Sequence, residues 1–161
     1  MRTLRRIIQD ESGSSLVETA FSLILLLTAI FGIVYFSEAL YTYEFVTYAA
    51  QQGTRYAIVR GAHWSGNGCA SIAMLNCNAS AANITSYVQS LAPPGITAGS
   101  IVVSPTWPGQ AVNGATAGCS TANNQGCLVK VQVSYSFSFI VPFLPSSAVT
   151  FTGTSEEAIQ E

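Results

Sequence analysis

The chain has 161 residues, a formal net charge of −2 and only 9% charged residues. That length holds one membrane-length helix and one modest domain, and the near-neutral balance argues against nucleic-acid binding or strong electrostatic steering. One histidine, no aspartate beyond Asp10 and no acidic residue between Glu44 and Glu156 leave few groups for acid–base chemistry. No G-x-S-x-G, phosphate loop, C-x-x-C or H-E-x-x-H occurs, so the composition points away from an enzyme.

Residues 1–13 form a polar leader carrying Arg2, Arg5 and Arg6. The apolar run that follows, Leu16 to Phe36, contains a single charge, Glu18. At about 1.5 Å per residue it reaches across a hydrocarbon core of roughly 30 Å. A carboxylate in such a run costs about 2.5–3.5 kcal/mol at mid-bilayer, which makes Glu18 a functional candidate; near the interface it would instead sample water. Positive charge beyond the run begins only at Arg55, so the positive-inside rule places the N-terminus in the cytoplasm and the remainder outside. Ser37-Glu38-Ala39 also fits the small-x-small rule of a signal peptidase. The preceding run, however, is longer than the usual h-region of about 7–15 residues and contains Glu18.

The helical pattern continues outward. Leu40, Tyr41, Phe45, Tyr48, Ala49, Gln52, Tyr56 and Val59 recur at three- and four-residue steps, which predicts an amphipathic face packed on a sheet or helix. Tyr35, Tyr41 and Tyr43 are placed as an aromatic belt at the outer leaflet would be. Gly53 costs the helix about 1 kcal/mol relative to alanine and marks either a close contact or a weak spot. The helix is expected to stop near Arg60-Gly61. Arg55 and Arg60 are read as fixing that end to nearby carbonyls or facing lipid phosphates, and His63 as a helix-terminal or loop residue.

Beyond residue 62 the expected elements are short. Ser80 caps a helix with the stripe Ile84, Val88 and Leu91, ended by Pro93-Pro94-Gly95. Ile101-Val102-Val103 is a strand candidate, and 105–126 reads as a long Gly/Asn/Ala/Thr-rich loop. In the stretch 127–141, Val129, Val131, Val133, Tyr135, Phe137, Phe139 and Val141 alternate with Lys130, Gln132, Ser134, Ser136 and Ser138. A period of two gives one buried and one wet face, hence an antiparallel sheet. Lys130, the only formal charge between Arg60 and Glu156, is solvated or guards a sheet edge. A Pro-Phe-Leu-Pro turn at 142–145 leads into a further strand, with Val149 and Phe151 on one face and Thr150 and Thr152 on the other. Cys69, Cys77, Cys119 and Cys127 form two local pairs bracketing loop-like segments. In an exported domain these read as two disulfides, the local connectivity being favoured by short loop closure. Neither pair has zinc-ligand spacing. The expected fold is α+β: a 1–13 leader, a 14–61 membrane-spanning and extended helix, and a 62–161 head with about three antiparallel strands and one short helix.

The Gly-Ser-x-x-Val-Glu start at 13–18, the Leu-rich helix and the Ala-Ala-x-x-Gly-x-Arg segment from Ala49 to Arg55 together resemble the TadE-like family, minor pilin-like proteins of the tight-adherence (Flp, type IVc) pilus system. The resemblance implies a single-pass inner-membrane protein cut by a prepilin peptidase between Gly13 and Ser14. Glu18 would then sit at the fifth position of the mature chain, where pilin-like proteins carry a glutamate. It implies docking to other pilin-like subunits through the N-terminal helix, with no cofactor, metal, nucleic acid or small-molecule substrate. This chain departs from the usual pilin pattern at Ser14, where an apolar or aromatic residue is common, and at Thr19, where an aromatic is. The alternative function is a membrane-tethered binding or adhesion module outside any pilus.

Overall fold

The computed structural model describes residues 11–62, 64, 78–119, 123–139 and 148–160. His63, the Cys69/Cys77 pair and the turn at 142–145 lie outside the described residues. Helix α1, Glu11–Ile58, is uninterrupted, as a stretch without proline allows. The chain divides at Glu38/Ala39 into two compact units. In the first, α1 carries an exposed apolar surface. The second is an α+β head built on the rest of α1, on α2 (Ala81–Ser90), on a single 3₁₀ turn (Ala98–Ser100), and on strands β1 (Val102–Thr106), β2 (Leu128–Ser138) and β3 (Ala148–Ala158).

The strands form one antiparallel sheet in the order β1-β2-β3. β2 is its centre, pairing Val103 with Val133 on one side and Gly153 with Val133 on the other. Pro105 lies on β1, an end strand of that order, and an edge strand is where a sheet admits proline. The predicted alternation holds: Val129, Val131 and Val133 are fully buried, while Gln132, Ser136 and Ser138 are exposed. Each buried valine contributes about 1.5–3 kcal/mol. Lys130 sits on this central strand, between Thr106 and Glu156 in register, so the edge-guarding reading is corrected. Val149 shares the Phe151 face but stays partly exposed, whereas Phe151 reaches Tyr43 of α1 edge-on, with ring centroids 6.2 Å apart.

The helix face that packs on the sheet differs from the predicted one. Phe45, Ala49 and Tyr56 are buried as expected, but Leu40, Tyr41, Tyr48 and Val59 are exposed. Their place is taken by small residues, with Ala39, Thr42, Val46, Ala50, Gly53, Thr54 and Ala57 buried. The reason is a close approach of backbones. A methyl group added at Gly153 would overlap the Val46 carbonyl and come within 2.7 Å of the Thr47 Cα. Bulky stripe residues do not fit such a gap. Gly53 likewise marks a close contact, since a Cβ there would stand 2.8 Å from Val88 Cγ2 and 3.0 Å from Val131 Cγ1. Thr54 spans the interface, its hydroxyl lying 3.0 Å from the Ala50 carbonyl and 3.3 Å from that of Ser155.

α2 forms as predicted. Ser80 Oγ accepts from the Asn83 N–H at 3.2 Å, and Ile84 and Val88 are fully buried. The end of α1 is held by a clamp that the sequence did not announce. Asn123, in left-handed backbone at φ 68°, accepts from the Ala62 N–H at 2.7 Å and donates through Nδ2 to the Ala79 carbonyl at 2.6 Å. The Ala79 N–H in turn reaches the Arg60 carbonyl at 2.8 Å. Arg60 lies over the Tyr56 ring at 4.3 Å, and Tyr56 stacks on Tyr87 at 4.6 Å. Burial pushes the Tyr56 hydroxyl above its ordinary pKa, with Arg60 opposing, so the ring meets the guanidinium as a neutral phenol and the contact is cation–π.

Cys119 and Cys127 are joined, with Cα atoms 5.5 Å apart. This confirms one of the two expected bridges and pins the loop just before β2. Replacing both cysteines by alanine is expected to lower stability by about 2–3 kcal/mol through loss of a short closed loop, read by chemical denaturation of the full chain in detergent micelles. In the same assay Gly153→Ala is expected to cost about 1–3 kcal/mol or more by overpacking. Gly99→Ala, with nothing within 4 Å of the added methyl, is the matched control and should be near neutral.

Candidate functional site

The candidate site lies along the first unit of α1. A helix with glutamate, serine and threonine in an apolar run must satisfy their polar atoms locally if lipid surrounds it. The hydroxyls do so. Thr19 Oγ1 donates to the Ser15 carbonyl, Thr28 Oγ1 to that of Ile24 and Ser37 Oγ to that of Ile33, each at 2.8 Å. These bonds to the carbonyl one turn back keep three hydroxyls from being orphaned in hydrocarbon. Thr19 at a position where pilins carry an aromatic is therefore physically compatible with a membrane helix.

Among the described residues Glu18 makes no such local bond. It lies on the exposed surface of α1 among Leu16, Val17, Phe21, Leu23, Ile24 and Leu25, all more than half exposed. The window of this helix with membrane-spanning length and composition is not buried inside the protein at all. A soluble core helix would be covered, whereas this one presents apolar side chains outward on every side. Gly13 and Ser14 are exposed within the first turn, which begins at Glu11 rather than at the expected Ser14. Ser14 stands one turn before Glu18, so a charge at residue 14 would be about 6 Å from residue 18 along the axis.

The predicted site residues thus fall into two separate places. Gly13, Ser14 and Glu18 share the first turns of α1, while the Cys119–Cys127 bridge belongs to the head. Among the described residues no three His, Cys, Asp or Glu side chains gather as metal ligands. Arg55 is exposed on α1, and Arg60 is engaged by Tyr56 and by Trp64, whose ring lies 5.6 Å away.

Residues 13–55 match the family model described as TadE-like protein. No curated protein and no solved structure matches the chain. The matched span opens at Gly13 and closes at Arg55, so it contains both the Gly-Ser-x-x-Val-Glu start and the Ala-Ala-x-x-Gly-x-Arg block. Structurally it runs from the exposed apolar turns of α1 into the small-residue face that seats the head. The similarity to TadE-like proteins is therefore confined to residues 13–55, the N-terminal part of this chain.

Proposed function

We propose that the chain is a minor pilin-like subunit used in assembling a tight-adherence, type IVc pilus. It is anchored in the inner membrane by the first unit of α1, with the N-terminus cytoplasmic and the head outside. The reading is non-enzymatic, and the observation that carries it is the TadE-like match over a helix whose exposed apolar turns contain one carboxylate, Glu18. A prepilin peptidase cuts between Gly13 and Ser14. The new α-amine is cationic near neutral pH. Amine and carboxylate are each costly in hydrocarbon, and each offsets the other when one subunit's helix packs beside its neighbour's. Glu18 then fixes the axial register of docking.

N-terminal sequencing of the protein isolated from membranes is expected to begin at Ser14. A chain beginning at Leu40 would establish signal-peptide removal instead, and an intact leader would rule out the cut. Glu18→Gln leaves the amine without its counter-charge, a loss of about 3–5 kcal/mol in a buried pair. Piliation is accordingly expected to fall about a hundredfold or more while membrane insertion, followed by fractionation, is unchanged. Normal piliation in that variant would favour a tethered adhesion module.

A further inference from the structure

β3 follows the second unit of α1 in the same direction. Phe151 meets Tyr43, Gly153 meets Val46, the Ser155 carbonyl faces Thr54 Oγ1, and the Gln160 N–H donates to the Ile58 carbonyl. The start of β3, and with it the end of β2, therefore lies toward Ala39. Ala148 precedes Gly153 by about 17 Å of strand, whereas Ala39 precedes Val46 by about 10 Å of helix. Even with the strand tilted across the helix, Ser138 and Ala148, the last pair of the β2–β3 ladder, come level with Ala39. Chain connectivity ties this end of the head to the membrane. Ala39 is the third residue after Phe36, the last of the apolar run, or about 4.5 Å further along a helix. The headgroup region on each side of the hydrocarbon is roughly 5–7 Å deep.

The side chains are sorted along the same direction. At the Ala39 end, one face of the sheet carries Phe137 beside Val149 and Tyr135 beside Phe151, and Tyr43 closes on Phe151 edge-on. Val149 is 39% exposed, and Leu40, Tyr41 and Tyr43 are each 50% exposed, so an apolar and aromatic rim stays open there. The other face of the same strand ends holds only neutral residues, Ser136, Ser138, Ala148 and Thr150, with the Ser136 and Thr150 hydroxyls 3.1 Å apart. No charge occurs in the sequence between Lys130 and Glu156. Those two residues are paired in register near the opposite end of the ladder, beside Glu157, and Arg55 and Arg60 lie at the far end of α1. Glu38 and Glu44 stand about 3 Å and 12 Å past Phe36 along α1, outside the hydrocarbon.

We infer that this end of the sheet seats in the headgroup layer of the leaflet from which α1 emerges, giving the head a second contact with phospholipid. The inference rests on the membrane-anchored reading above. Tyrosine rings are favoured at that depth, and apolar side chains gain by leaving water. Hydroxyls can bond phosphate and ester oxygens there without the cost of desolvating a charge. A soluble partner has no reason to favour one end of the sheet, whereas a bilayer does, because the tether holds this end against it. Two contacts fix the bearing of the head on the membrane, which one helix alone leaves free to rotate.

The test uses the full chain in vesicles of phosphatidylethanolamine and phosphatidylglycerol. A photo-reactive phenylalanine analogue replaces Val149 or Ala148 at the sheet end, Thr106 near the opposite end, or Leu25 in the apolar run, all of them exposed. The denaturation midpoint shows that each head is folded, and mass mapping counts lipid adducts. Adducts at Val149 and Ala148 are expected at least fivefold above those at Thr106. Lipid adducts at Leu25 with no such excess at Val149 and Ala148 overturn the inference and leave the anchored reading intact. So do links from the sheet end to a second protein chain in place of lipid. An absence of lipid adducts at Leu25 overturns the anchored reading, and the inference with it.

Discussion

The head depends on one close approach, that of the α1 backbone to the middle of β3. At Gly153 the strand has no side chain, and the helix carbonyl at Val46 occupies the space that one would fill. This contact dictates which face of the helix turns inward. Ala49, Ala50, Gly53 and Ala57 lie there because larger residues would hold the helix away from Val131 and Val133. Small residues bury little area each. The stability of the arrangement therefore comes from the valines of β2, from Ile84 and Val88 of α2, and from Phe45 and Tyr56 at the margins.

The same constraint explains why so many large side chains remain outside. Once small residues line the inner face, Leu40, Tyr41, Tyr48 and Val59 are left exposed. A monomeric soluble domain rarely carries such a row, and it ordinarily marks an interaction surface. One helix thus changes surroundings along and around its length: an exposed apolar surface over the first unit, and in the second the sheet on one side and an exposed row of large side chains on the other. The head's scarcity of charge fits this division, because little on its surface opposes association.

The clamp at Asn123 and the Cys119–Cys127 bridge serve a different need. A helix that ends against a small sheet requires a defined end, because its last carbonyls have no partner within the helix. The backbone bonds running from Ala62 to Asn123 and from Ala79 to Arg60 supply it, drawing on a loop that the disulfide already restrains. Arg60 stacked on Tyr56 closes the last turn from the side.

Local pattern determined much of this protein. The length and exclusive apolarity of Leu16–Phe36, the two-residue alternation from Val129 to Phe137, the Ser80 cap with its Ile84 and Val88 stripe, and the isolated Glu18 are all periodic or compositional signals, and each was legible without coordinates. Which side of α1 faces the sheet was not. Hydrophobic spacing favoured Leu40, Tyr41, Tyr48 and Val59, because a periodicity argument weights size and apolarity. Packing instead selected the residues small enough for two backbones to approach. The central place of Lys130 and the reach of Asn123 from one loop to two others were equally hidden, since both depend on strand order and on chain segments far apart in sequence. Tertiary structure alone decided them, because close packing is a property of paired surfaces and a sequence read along its length presents one surface at a time.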